Sequence, residues 1–220
     1  MSRNSALEPA LDQKLIVRAA LDLLDEVGLD ALSMRRLAEK LNIKAASLYW
    51  HVRDKEHLLS LLADEICAAM LVPDSTLPWR EQIEALGHEN RRALRSHRDA
   101  ARVLAQTLPL GPNRLRLMEV ALTVLLKAGF SPRDAAYAGF LLNDYVTMFV
   151  VEETRFSAED QAAKIEQIYT DWFASLSPEE FPTLRSLAGH LLADNADERF
   201  SFGMEVLLDG LEMKRKNRPE

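Results

Sequence analysis

The chain has 220 residues, a net charge of −7, 48% apolar and 28% charged side chains, the proportions of a folding polypeptide with a sizeable core rather than a disordered one. The single cysteine, Cys67, excludes an intramolecular disulfide and a multi-cysteine zinc site. No apolar run approaches the roughly 20 residues that span a bilayer, and MSRNSALEPALDQK lacks the hydrophobic centre of a secretory signal, so no membrane partner and a cytoplasmic location are expected.

From Leu15 the apolar residues Ile16, Ala19, Ala20, Leu23, Leu24 and Val27 follow helical spacing and stop at Gly28, predicting an amphipathic helix of about four turns. Ser33 is placed to cap a short helix, MRRLAEKL; a brief break around Asn42 precedes a second short helix, AASLYWHV, with Leu48 and Val52 on one side. Asp54 is placed to cap a fourth helix running to Met70, before Val72-Pro73. VPDSTLPW then marks a boundary. Beyond it the pattern predicts helices over 79–96, about 98–107, 113–128 stopped by Gly129, and 132–155 entered through Ser131, Pro132 and Asp134. Ser157 is a further cap, for a helix to about Leu176; SPEEFP precedes a short helix, and 197–216 form the last. No strand-like alternation or repeat stands out. The expected fold is all-α: a three-helix head over residues 1–57 and a helical body over 58–220.

Charge is unevenly placed. Residues 32–57 hold six basic and three acidic side chains, net +3, whereas 58–220 hold 18 basic and 25 acidic, net −7. Two short helices joined by a brief turn match a helix-turn-helix, whose second helix enters the DNA major groove. Ala45 and Ala46 permit close backbone approach, Ser47 and Tyr49 offer hydroxyls, Lys55 is placed to neutralise a phosphate, and Arg35 projects from the preceding helix toward a guanine. The bland reading of the same residues is a solvated basic face.

The run GLDALSMRRLAEKLNIKAASLYWHVRDKEHLL resembles the N-terminal domain of TetR-family transcriptional repressors, and LPWREQ, LRSHRDAARV and KAGFSPRDAAYAGF are similar in order and spacing to the regulatory domain of the tetracycline-repressor subgroup. The resemblance implies a homodimer on double-stranded operator DNA, released by a small-molecule effector. It places Arg35, Ser47, Tyr49, His51 and Lys55 at positions that touch bases or phosphates, and Trp50 at an apolar anchoring position. His51 reads equally as a phosphate donor or a structural histidine. Pairing two heads would set recognition helices about 34–36 Å apart on half-sites one turn apart. The resemblance implies that helices 132–155 and 197–216 pair with their symmetry mates in a four-helix bundle; the alternative is that both merely line an intrachain core.

For the effector site, Leu71, Leu86, Asn90, Leu104, Leu108, Met118, Ala121, Leu122, Asn143, Asp144, Thr147, Met148 and Val151 are expected to line a mostly apolar cavity. Asn143 with Thr147 and Asp144 with Met148 are i, i+4 pairs on an otherwise apolar helix. Where drug-responsive members of the family carry histidine, asparagine or arginine for tetracycline and its magnesium, the resemblance puts Leu71, Leu86, Leu104 and Leu108, implying a smaller or more apolar effector. Effector binding would shift the fourth helix, residues 55–71, and with it the recognition helices. No catalytic motif, resident metal or cofactor is expected: GxSxG, HExxH and a glycine-rich phosphate loop are missing from the sequence, and His88, Glu89, His97 and Asp99 read as solvated surface charge. Cys67 reads as buried filler.

Overall fold

A computed structural model describes residues 11–155, 159–193 and 195–217, all helix and connection with no strand among them. The Ser157 cap and the first ten residues lie outside the described residues. The chain forms two compact units that divide between Val151 and Glu152.

The first unit opens with α1 (Gln13–Ala31), capped by Asp12, whose carboxylate accepts from the Leu15 amide at 2.8 Å. The stop expected at Gly28 is present: its φ of 75° and ψ of 170° break the helix, and one further turn follows. α2 (Met34–Lys40) starts at the Ser33 cap, α3 (Ala45–Tyr49) follows, and Asp54 caps α4 (Lys55–Ala68) by accepting from the His57 amide at 2.7 Å. Leu37, Leu48, Val52, Leu58 and Leu62 are fully buried, so the two short helices are held by tertiary packing rather than by their own stability. α3 is shorter than the AASLYWHV run: it ends at Tyr49, and the amides of His51 and Val52 fold back onto the Leu48 carbonyl.

α5 (Trp79–Arg95), α6 (Ala100–Ala105), α7 (Pro112–Lys127) and α8 (Pro132–Glu153) complete the unit. α6 starts later than expected because Asp99 takes a left-handed φ of 59°, interrupting the helical path from His97. Gly129, at φ 94°, ends α7, and the Ser131 hydroxyl receives the Asp134 amide at 3.0 Å at the entry to α8. Trp79 and Phe130 meet edge to face at 5.3 Å, and Gly139 on α8 leaves room for Leu122 of α7. α4 packs against α1 on one side and α5, α6 and α7 on another, which makes it the shared strut of the unit.

The second unit carries α9 (Glu159–Ser175), α10 (Pro182–Leu192) and α11 (Ala196–Lys216). α9 and α10 pack together, and the Arg185 guanidinium closes their connection by donating to the carbonyls of Ala174 and Leu176 at 2.8 Å. On α11, Phe200, Met204, Leu208 and Leu211 are buried while Phe202, Val206 and Met213 are exposed.

Candidate nucleic-acid interface and effector region

The head presents one helix with an inward and an outward side. Leu48 and Val52 have no exposed surface, whereas Ala45, Ala46, Ser47 and Tyr49 stand in solvent on the same short segment. The turn before it is fixed by Asn42 at a left-handed φ of 53° and by the Ile43 amide donating to the Ala38 carbonyl at 3.0 Å. Asparagine tolerates that conformation better than most residues. Trp50, expected as an apolar anchor, is 89% exposed. The anchoring falls to Leu48 and Val52, because the chain leaves the helix after Tyr49 and turns the indole outward. His51 is half-buried.

Three cations of the head have partners: Arg35, Lys40 and Lys55. Arg35 pairs with Glu39 one turn on at 3.1 Å, both well exposed, an arrangement of little intrinsic strength that a phosphate or base can displace. Lys40 meets Glu26 at 2.6 Å. Lys55 lies 3.4 Å from the Leu29 carbonyl, at the foot of α4 and beside the Gly28 turn.

That turn carries a polar latch to the corner between α5 and α6. Asp25 accepts from the Arg98 amide and meets His97 Nδ1, each at 2.8 Å; Asp99 accepts from the Leu29 amide at 2.8 Å; Arg102 reaches Asp30 at 2.8 Å and Asp99 at 3.0 Å. The hydrogen bond from Arg102 holds the Asp30 carboxyl below its ordinary range. His97 and Asp99 are not the solvated charges expected from the sequence: both are partly covered and engaged across 70 or more residues of chain. Alternating charges on short, separate segments gave no sign that they would meet.

The thirteen expected effector residues fall into three groups. Leu86, Leu104 and Thr147 are buried; Asn90, Ala121, Leu122 and Val151 are half-buried; Leu71 (74%) and Leu108 (71%), with Met118, Asn143, Asp144 and Met148, are exposed. Asn143 and Thr147 thus do not share an environment: Thr147 follows Val146 onto the core side of α8, while the Asn143 amide lies at the surface, 3.5 Å from Asp144. The Thr147 hydroxyl is buried with no hydrogen-bond partner among the described residues. A cavity of about 450 Å³ in this unit opens instead between the start of α5 and α7, with Val72, Pro73, Trp79, Gln82, Val120 and Thr123 in its wall, and none of the thirteen lines it. Burial pushes the Cys67 thiol up to about 11. Among the described residues no group of His, Cys, Asp and Glu is arranged to hold a metal ion, and no helix is long and apolar enough to cross a membrane.

Comparison with known proteins extends this geometry. Residues 16–62 match the profile of bacterial regulatory proteins of the tetR family, and residues 72–215 that of the tetracyclin repressor-like C-terminal domain. An HTH-type transcriptional regulator of Saccharopolyspora erythraea is 37% identical, the match covering 95% of this chain and 88% of that protein. The class A tetracycline repressor from transposon 1721 of Escherichia coli is 34% identical over 93% of this chain and 92% of its own. The crystal structure of the Streptomyces coelicolor TetR family protein ActR in complex with actinorhodin superimposes with a TM-score of 0.84 at 38% identity, covering 93% of this chain and 96% of that one. These relatives are regulators, not enzymes, and the chain described here belongs to the TetR family of ligand-responsive, DNA-binding transcriptional regulators.

Proposed function

We propose that this regulator is a repressor that binds a palindromic operator as a homodimer through residues 1–57 and is released by a small, largely apolar effector bound within residues 58–220. The observation that carries the reading is the two-sidedness of α3 and the turn that follows it: Leu48 of α3 and Val52 just beyond it are locked into the core while Ala45, Ala46, Ser47 and Tyr49 face outward. That is the arrangement a helix needs to be pressed rigidly into a major groove. Ser47 and Tyr49 supply hydroxyls to phosphates or base edges, Arg35 reads a base once freed from Glu39, and Lys55 and His51 hold phosphates. The exposed Trp50 packs its ring on the DNA backbone. With two alanines at its start, α3 makes few direct base contacts, so specificity leans on Arg35, Tyr49 and DNA shape.

One head offers too little surface for tight specific binding. The apolar residues left exposed on α8 (Tyr137, Phe140, Leu141) and on α11 (Phe202, Val206, Met213) are the surfaces that a second copy covers. For the effector, support comes from Leu86 and Leu104, which are apolar and buried, and from the unmatched hydroxyl of Thr147 among buried apolar neighbours on α8. Actinorhodin bound to ActR is a precedent for an effector in this fold. Leucines at 71, 86, 104 and 108 argue against the chelate of tetracycline and magnesium. Effector binding acts on α4 and on the latch at Gly28, changing the separation of the recognition helices.

Selection from a random duplex pool tests the reading. The parent should enrich two-fold symmetric sites with half-sites about 34–36 Å apart, and alanine at Arg35 or Lys55 should weaken binding. Tetracycline with magnesium should give no saturable thermal stabilisation. Failure to enrich any duplex, or a large stabilisation by tetracycline, contradicts the proposal.

A further inference from the structure

We infer that Asp64, about two-thirds of the way along α4, is a positioning residue that couples the effector region to the DNA head by capping α7 from outside; this rests on the ligand-responsive reading above. α7 begins poorly supplied with a cap of its own. Its N-cap residue is Gly111, without a side chain, and its first residue, Pro112, has no N–H. The next two amides, of Asn113 and Arg114, both donate to Asp64 Oδ1, at 2.9 and 3.0 Å, and the Asn113 side-chain amide donates to Asp64 Oδ2 at 2.9 Å. A carboxylate at a helix N-terminus also meets the positive end of the helix dipole. Gly111 has an ordinary φ of −73°, so the backbone does not require glycine there; what requires it is room, because a Cβ at 111 would fall on the Asp64 side chain.

The same end of α7 grips α6. The Arg114 guanidinium donates to the Thr107 hydroxyl at 2.8 Å and to the carbonyls of Thr107 and Leu108 at 3.2 Å. Leu104 and Leu108, two of the expected effector contacts, sit on this last turn of α6 and the residues after it. A displacement of the α6 terminus therefore pulls Arg114, Arg114 moves the first turn of α7, and Asp64 passes that movement to α4. Lys55 lies nine residues earlier on the same rigid rod, about 14 Å along its axis. Asp64 touches neither DNA nor effector in this scheme; it transmits.

Reciprocity of coupling permits a test without a known effector, since DNA binding at the head must then be felt at α6 and α7. The full-length protein is studied with and without a duplex that it selected itself, by hydrogen exchange over residues 104–118. In the parent, the duplex should change exchange in this segment about fivefold or more, the low end of usual coupling. In Asp64→Ala, the duplex-dependent change should be lost although the duplex still binds, and Gly111→Ala should behave alike, because its Cβ displaces the same carboxylate. Asp64→Asn, which keeps an acceptor for the two amides, should retain part of the change. A merely structural role would raise exchange with and without DNA alike and leave the difference intact. That outcome in Asp64→Ala and Gly111→Ala, or no change in the parent, overturns the inference. Failure of the parent to bind any duplex overturns instead the reading on which it rests. If Asp64→Ala does not fold, Asp64→Asn and Gly111→Ala carry the comparison.

Discussion

Replacing Gly28 by alanine strikes the point where the head meets the helices behind it. At φ 75° and ψ 170° the backbone lies in a region open essentially to glycine alone, and forcing another residue there costs of order 1–3 kcal/mol. The new Cβ would also stand 3.1 Å from both Arg98 Nε and Asp99 Oδ2, where the latch gives little freedom. Displacing Asp99 from the Leu29 amide forfeits a charged hydrogen bond, which in a partly exposed setting adds about 1 kcal/mol. Loss of glycine from the unfolded chain returns about 0.4–1 kcal/mol. The net expectation is a destabilisation of about 1–3.5 kcal/mol, or roughly 2–14 °C in the thermal midpoint for a chain of this size. Urea unfolding at fixed protein concentration, with an unchanged m-value, measures it. Gly189→Ala serves as the comparison, because its Cβ would meet nothing within 4 Å inside α10, and it should stabilise by about 0.5–1 kcal/mol. Gly28→Ala within about 0.5 kcal/mol of the parent, the scatter of ordinary surface substitutions, would refute the strained hinge.

Leu48→Ala removes the fully buried anchor of α3 and should cost about 2–5 kcal/mol together with operator binding; retained binding in a gel shift would mean that α3 is held some other way. Cys67, buried with its thiol pushed up to about 11 from an ordinary 9.0, should react with an aromatic disulfide only as fast as the chain opens. Because its folded pKa is the higher one, its share of stability is intact below about pH 9 and declines as the pH climbs toward 11. Rapid labelling of the native protein at about pH 8, below the ordinary thiol range, would contradict the burial. Thr147→Val replaces a buried hydroxyl with no partner among the described residues and should raise stability by about 1 kcal/mol in the effector-free protein; a decrease of that size, measured by urea unfolding, would mean that the hydroxyl has a partner in the assembled dimer.

Local signals make most of the helices readable. Ser33, Asp54 and Ser131 cap where their side chains and the following amides require, and Gly28 and Gly129 end helices at positive φ. Each of these effects acts within about four residues, the range over which a sequence states its own geometry. The head is legible for the same reason: Leu48 and Val52 are i, i+4 neighbours, so the outward side of α3 follows from their burial. What depends on distant chain is not legible. The latch joins Asp25 to His97 across 72 residues, and Asp64 finds α7 across 49. In sequence each is one more charge on a polar helix face. Periodicity, on which the expectation for Asn143, Asp144, Thr147, Met148 and Val151 rests, says which residues share a helix face, and a resemblance says which positions correspond, but neither says whether facing helices leave space between them. Leu71 and Leu108, past the ends of α4 and α6, lie exposed, and a cavity opens near Trp79. Trp50 escapes the anchoring role because α3 ends one residue before it.

Whether two copies of α3 read a symmetric duplex is decided by the salt dependence and stoichiometry of binding to a selected DNA. Two chains per duplex are expected, with an affinity that falls steeply as a power of salt concentration. The slope becomes shallower by about 1 for each phosphate left without its cation, so that Lys55→Ala in both copies flattens it by about 2. One chain per duplex, or an affinity indifferent to salt and to Lys55, would contradict that expectation.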